Sequence, residues 1–351
     1  MIGIEKISKE NMIIVRAPLR ISFVGGGTDL PSFYQISPGR VISATIDKYV
    51  YTVVNRTPLM KKVSARYSIT ELVNHPIELK NDRIREALLD LGILNGIEVG
   101  TFSHLPGGTG LGSSSSFSVG LIKALYASQG RKIDNREAAE AASRLEIELV
   151  KEPIGKQDQY AAAFGGFNVF QFNPDHSVDV MPLLLDFKKK MDLENHILVF
   201  FTGITRPAAS VLTEQKVNIA NKIDTLKEMA DAVLKFKDLL MAGNFEELGK
   251  LLHDNWLKKK SLASCISNSV IDDLYQSGID SGAWGGKILG AGGGGCLMFL
   301  METAKKNVVR EAVKKAAQKN NLEYFNEIPV KFVQSGVEII VNTDNGGSDY
   351  R

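Results

Sequence analysis

Between Leu105 and Phe117 the chain reads Leu-Pro-Gly-Gly-Thr-Gly-Leu-Gly-Ser-Ser-Ser-Ser-Phe, four glycines in six positions and then four serines. Glycine has no Cβ, so such a run can turn tightly and come close to a ligand. Behind it, Val119, Leu121, Ile122 and Leu125 predict an amphipathic helix over 117–129. A glycine loop feeding a helix start offers unpaired N–H groups and the positive end of the helix dipole to an anion such as phosphate. Pro106, Gly107, Gly108, Thr109, Gly110, Leu111, Gly112, Ser113, Ser114 and Ser115 are therefore the candidate phosphate cradle. The loop is not of the Walker A type, because Gly107 and Gly112 are followed by Ser113 and Ser114 and the lysine is missing. A flexible Gly/Ser linker has the same composition, but a linker does not run without a break into an amphipathic helix.

At 351 residues there is room for two domains with substantial cores. A formal charge of +2, with Lys and Arg scattered, argues against a nucleic-acid binder or a membrane-surface protein. The short lysine runs at 188–190 and 258–260 read as solvated faces. Cys265 and Cys296 make no disulfide framework, and no histidines are spaced as zinc ligands. Residues 1–11 lack the apolar core of a secretion signal, and no apolar run nears the roughly 20 residues needed to span a bilayer. The expectation is a cytosolic protein.

Strands are expected at 12–15, 21–24, 40–44, 48–55 and 96–103, with a helix at 80–92 closed by its glycine. Helices at 117–129 and 135–151 follow, then a short helix from about 156 and a strand at 167–172. Asn173-Pro174-Asp175 marks a boundary, giving domains of 1–175 and 176–351. Beyond it come a strand at 197–201, helices at 208–242, 246–259 and 269–277, and strands at 285–289 and 296–300 around a second glycine cluster. A helix at 303–320, strands at 330–332 and 337–341 and a frayed tail over 342–351 complete the chain. The irregular alternation indicates an α+β architecture in two layers rather than a doubly wound sheet.

Three segments belong together: Arg16-Ala-Pro-Leu-Arg-Ile-Ser-Phe-Val-Gly-Gly-Gly-Thr-Asp29, the glycine-serine loop, and Lys287-Ile-Leu-Gly-Ala-Gly-Gly-Gly-Gly-Cys296. In order and placement they resemble the GHMP kinases, whose middle motif Pro-x-x-x-Gly-Leu-x-Ser-Ser is met by Pro106, Gly110, Leu111, Ser113 and Ser114. The first segment and Pro153-Ile-Gly-Lys-Gln-Asp-Gln-Tyr-Ala-Ala-Ala-Phe-Gly-Gly166 resemble the members that act on heptose 7-phosphates. The resemblance implies a two-domain GHMP kinase fold, with a ribosomal S5 domain 2-like N-terminal domain and a ferredoxin-like C-terminal domain. It also implies transfer of the γ-phosphoryl of ATP, with Mg²⁺, to the anomeric oxygen of a phosphorylated sugar. A homodimer is compatible with it.

Roles follow from the resemblance residue by residue. Backbone groups of 107–115 would hold the triphosphate, and Ser114 matches the serine whose hydroxyl reaches Mg²⁺. Ser113 and Ser115 are its rivals, and a simple helix cap is the alternative. The acidic metal partner falls on Glu146, twelve residues before Asp158, with Glu148 as the rival on another helix face. Asp158, in Gly155-Lys-Gln-Asp-Gln159, matches the catalytic aspartate that accepts or orients the proton of the sugar 1-OH. Arg20 matches the basic residue facing that aspartate; an ordinary surface pair is the alternative.

Asp29, nine residues after Arg20, matches a sugar-binding aspartate with two acceptor oxygens for ring hydroxyls. Galactokinase has Gly-Glu-His-Thr-Asp where this chain has Gly25-Gly26-Gly27-Thr28-Asp29. The change removes a negative charge and is expected to open volume for a longer, phosphorylated sugar. Lys287, Arg206 and Lys156, in that order, are the candidate donors to its phosphate. Gly290 and the run holding Gly292 and Gly293 are expected to pack on the first glycine loop beside the substrate. Two other functions share these motifs: a kinase for fucose or another hexose, and a non-catalytic sugar- and ATP-binding regulator.

Overall fold

The computed structural model describes residues 11–205 and 208–343. Arg206 and nearly all of the tail expected to fray lie outside the described residues. The first sheet is built on two long antiparallel strands, β1 (Met12–Val24) and β2 (Gly39–Arg56), each expected from the sequence as two shorter strands. Pro18 does not end β1. The pairing slips between Pro18 and Leu19, so the ribbon bends through an irregularity and continues.

Around this pair stand β3 (Val63–Arg66), β4 (Thr70–Val73), β5 (Ile97–Ser103), β6 (Phe167–Phe172), β7 (Val178–Leu183) and β12 (Glu338–Asn342). The order is β12-β1-β2-β5-β3-β4, with β6 on the first part of β2 and β7 beside β6. Thus β7 and β12, both from beyond residue 175, belong to the first sheet. After the one-turn α1 (Pro31–Tyr34), helices α2 (Asp82–Asp90), α3 (Ser113–Ser128), α4 (Asn135–Arg144) and α5 (Gln157–Phe164) cover it. Their shared core joins Ile13, Val15 and Ala17 of β1 to Ile84, Val119, Leu121 and Ala142.

The second half carries α6 (Phe187–Asn195), β8 (Ile197–Phe201), α7 (Ala208–Asn218), α8 (Ile223–Ala242), α9 (Phe245–Lys260) and α10 (Ser269–Asp280). The hairpin β9 (Ala283–Ile288) and β10 (Cys296–Met301), then α11 (Lys306–Lys319) and β11 (Asn326–Glu327), complete it. Its antiparallel sheet runs β11-β8-β10-β9. The expected strand at 330–332 is reduced to one bridge between Phe332 and Ile46. Alternation along β10 divides the apolar residues between two cores. Leu297, Phe299 and Met301 pack with Trp256, Ile271 and Val309, while Met298 and Leu300 pack with Phe23, Ile42, Phe167, Phe236 and Leu248. The second of these cores runs from β1 and β2 into α8 and α9, so the two halves share one apolar interior. No helix among the described residues is long and apolar enough to cross a membrane.

Candidate active site

The glycine-serine loop and the third segment's cluster at Gly290–Gly295 meet along a cleft of about 360 Å³. Gly110 (φ +75°) passes so close to the third cluster that a Cβ there would fall 2.3 Å from the Leu289 carbonyl oxygen. Helix α3 begins at Ser113, earlier than the hydrophobic spacing indicates, so all four serines lie in its first turn. Its N-cap is Gly112 in the left-handed conformation, and no side chain caps it. The first-turn N–H groups therefore need an outside acceptor, and Gly108, Gly110, Gly112, Ser113, Ser114 and Ser115 line the cleft around them. This arrangement fits the phosphates of a nucleotide. Pro106, Gly107, Thr109 and Leu111 are not in the lining. Thr109 and Leu111 instead moor the loop, their carbonyls accepting from the Cys296 and Arg20 N–H groups at 2.8 and 3.0 Å.

Arg20, 3% exposed, projects from β1 to the first turn of α5. There its Nε and Nη2 donate to Oδ1 and Oδ2 of Asp158 at 2.8 and 2.7 Å, and Nη1 donates to the Gly110 carbonyl at 2.7 Å. One guanidinium thus fixes the plane of the carboxylate and ties it to the glycine loop, which a lysine could not do. Both side chains line the cleft.

Asp29 faces the same cleft, buried, accepting from the Gly27 N–H at 3.1 Å and from Gln157 through its N–H (3.3 Å) and Nε2 (3.0 Å). The approach depends on Gly155, where a Cβ would fall 2.1 Å from Asp29 Oδ2. Burial, reinforced by the nearby Asp158, raises the Asp29 carboxyl above the ordinary aspartate value. Thr28 closes the turn through bonds to the Gly25 and Arg40 backbones and does not line the cleft.

The volume expected over Gly25, Gly26 and Gly27 is already filled. A Cβ on Gly25 would strike the Arg40 carbonyl, one on Gly26 would lie 3.2 Å from Lys259 Nζ, and one on Gly27 would be 2.2 Å from Gln215 Nε2. The small residues here admit Lys259 and Gln215, so the sugar pocket is not enlarged over Gly26 and Gly27 as the sequence suggests.

The substrate-phosphate candidates change as well. Lys287 does not line the cleft; its ammonium is buried beneath β1 and donates to the Ser22 and Phe23 carbonyls at 2.9 and 2.8 Å. Lys156 turns to Glu140 at 3.0 Å, and Arg206 lies outside the described residues. Among the described residues the cations that line the cleft are Arg20, Arg83 and Lys259. Lys259 belongs to a run expected to be solvated, yet it is 4% exposed. Its helix spacing carries the missed signal, since Lys259 follows Leu248, Leu252 and Trp256 on the buried stripe of α9. In the third cluster Gly290, Ala291, Gly292 and Gly294 reach the cleft, whereas Gly293 does not.

Glu146 is placed otherwise than a shared metal site requires. The chain widens into a π turn over Leu145–Leu149, which brings Glu146 inside with no exposure and leaves Glu148 outside. Oε1 accepts from Arg83 Nε (3.0 Å) and Ser118 Oγ (2.9 Å), while Oε2 accepts from Ser115 Oγ (2.8 Å) and Gln159 Nε2. Four donors fill the carboxylate, and it does not line the cleft. Ser114 does line it, so the structure does not present Ser114 and Glu146 together to an ion. Among the described residues no group of three or more His, Cys, Asp or Glu is arranged to hold a metal. The third carboxylate on the cleft is Glu152, raised by burial and bonded to Arg83 at 2.8 Å.

The family model for the GHMP kinase N-terminal domain matches residues 79–166, and that for the C-terminal domain matches 236–319. A D-glycero-α-D-manno-heptose 7-phosphate kinase of Campylobacter jejuni is 30% identical over 318 residues, spanning 86% of this chain and 93% of the relative. The chain belongs to the GHMP kinases. A galactokinase of Pyrococcus furiosus is 26% identical over 341 residues, or 86% of this chain and 92% of that one. Among solved structures, a D-glycero-D-manno-heptose 1-phosphate kinase from Bacteroides thetaiotaomicron shares the fold with a TM-score of 0.75, at 24% identity over 93% of this chain and 98% of that one. GHMP kinases use ATP as phosphoryl donor, and the uncapped start of α3 suits that donor.

Proposed function

We propose that this GHMP kinase is a sugar kinase that transfers the γ-phosphoryl of ATP to the anomeric hydroxyl of D-glycero-D-manno-heptose 7-phosphate. The product would be the 1,7-bisphosphate, a precursor of nucleotide-activated heptose for surface polysaccharide. The Arg20–Asp158 pair carries the reading, set between an uncapped phosphate-binding helix start and the buried carboxylate of Asp29. As the acceptor oxygen bonds to the γ-phosphorus and the bond to ADP breaks, the Asp158 carboxylate takes the hydroxyl proton. Arg20 holds that carboxylate in place and supplies fixed positive charge for the developing alkoxide. Asp29, braced by Gln157, accepts from ring hydroxyls and sets the orientation of the sugar. A Mg²⁺ accompanying the nucleotide would meet Ser114 first; no step is assigned to it, because Glu146 is closed off.

A coupled ADP-release assay tests the substrate, run with D-glycero-D-manno-heptose 7-phosphate, mannose 6-phosphate, fucose, galactose and mevalonate. Turnover confined to the heptose phosphate is the expected result. Turnover on fucose or galactose alone would make the chain a hexose kinase, a reading favoured by the filled space over Gly26. Nucleotide binding without turnover on any member would move it to the regulators, although a regulator has no use for the two-point Arg20–Asp158 pair.

Asp29→Ala is expected to weaken sugar affinity by about tenfold or more, with nucleotide affinity unchanged, as read by calorimetry. The Asp29 shift adds a pH dependence. The ionised carboxylate accepts the hydroxyls, so sugar affinity declines on acidification with a midpoint above the ordinary aspartate value of 3.8.

A further inference from the structure

Two buried polar groups beside Asp29 have bonding capacity that the protein does not use. Lys259 Nζ donates one bond, to the Gly290 carbonyl at 2.9 Å, and its remaining protons have no acceptor among the described residues. It forms no ion pair there, although Asp29 and Asp158 both act on its charge. Gln215, on α7, is 2% exposed, and neither its Oε1 nor its Nε2 has a hydrogen-bond partner among the described residues. Of the two, Lys259 lines the cleft and Gln215 does not, so it is the ammonium that is left for a partner bound there. Both reach the same turn: Lys259 packs over Gly26 and Gln215 over Gly27, the two residues before Thr28-Asp29. In the family's galactokinase-like members the two positions carry a glutamate and a histidine. Here the polar groups come from α9 and α7 instead, and the charge at that place is reversed.

We infer that Lys259, which lines the cleft, completes the acceptor-sugar subsite by donating to the acceptor oxygen of a sugar bound between Asp29 and Asp158, with Gln215 packed behind it against Gly27. The inference rests on reading the cleft as a phosphoryl-transfer site. An ammonium at that point counters negative charge on the acceptor oxygen as its proton passes to Asp158, so its contribution is larger in the transition state than in the ground state. Burial lowers the ammonium to about 8, partly offset by the Asp29 charge, so the group is cationic at neutral pH and loses its proton just above it. The charged groups facing it are Asp29 and Asp158, which favour the cation, and Arg20, which opposes it; Lys287, itself pushed well below the ordinary lysine value by burial and by Lys259, is the other nearby amine.

The test uses whichever sugar the wild-type chain phosphorylates. Absence of turnover on every sugar would defeat the kinase reading itself, and the variants are then read by nucleotide-free calorimetry with the heptose phosphate. Lys259→Met is expected to lower kcat by about 10²-fold, with KM for ATP within about threefold. Gln215→Leu, at a side chain that does not line the cleft, is expected to raise thermal stability, because an unpartnered amide is replaced by an apolar side chain, and to leave sugar affinity within about threefold. Wild-type kcat/KM for the sugar should fall above about pH 8, and Lys259→Arg should move that limb upward. A folded Lys259→Met protein with unchanged kcat would overturn the inference. If Lys259→Met does not fold, the pH profile decides: a flat wild-type response between about pH 7 and 9 overturns the role of Lys259.

Discussion

Asp158→Asn is expected to reduce kcat by about 10²-fold or more while leaving ATP affinity within about threefold. The substitution preserves shape but removes the proton acceptor. It also places an amide where the Arg20 fork needs an oxygen, so one of the two bonds, at 2.8 and 2.7 Å, is lost. Arg20, only 3% exposed, is then left without its counter-charge, and some stability is lost with the activity. ATP affinity is expected to be spared because the proposed phosphate site is the glycine loop and the start of α3, which Asp158 reaches only through Arg20. Steady-state kinetics with nucleotide calorimetry checks the split, and unchanged turnover would remove Asp158 from the reacting centre. Arg20→Lys should come close to the same loss, because an ammonium cannot hold both carboxylate oxygens and the Gly110 carbonyl at once.

Glu146→Ala is expected to destabilise the protein by about 3 kcal/mol, even with chelator present. The carboxylate has no exposure and binds Arg83, Ser115, Ser118 and Gln159, thereby linking α3, the π turn, α5 and the α2 side of the cleft. Removing it leaves an arginine and three buried donors without their acceptor. Denaturant unfolding in EDTA separates two roles for this residue. A large loss there identifies Glu146 as an organiser of the helix that presents the phosphate loop. Equal stability with a changed Mg²⁺ requirement would restore it as a metal ligand and imply that its four bonds open when nucleotide binds.

Much of the first half was legible. The Gly107–Gly112 run, its helix, and the distance from Arg20 to Asp29 are local patterns, and β1, β2, α3 and α5 carry them where the spacing puts them. Short strands were not legible. β3 and β4 each have four residues and β11 has two, too few for a period-two pattern to show against the background. Strands joined across a slip, such as β1 at Pro18, read as two because proline normally ends a strand. The helix expected over 208–242 is divided by a tighter turn at Ile219–Asn221, which helical spacing alone does not reveal.

The lysines show the limit most clearly. Lys287 sits in a glycine-rich motif and Lys259 in a run of three lysines, so composition favours the first. The tertiary structure reverses them: Lys287 is bound beneath β1, and Lys259 emerges beside Asp29. Sequence by itself determined the glycine loop that opens α3, the family and the two aspartates that line the cleft, because backbone geometry at glycines and helix starts depends on neighbours in the chain. Only the tertiary structure decided which charged side chains face the cleft and that Glu146 is closed by four donors. Those facts depend on where α7, α9 and the third glycine cluster pack against the first sheet, and packing between distant segments leaves no local signal.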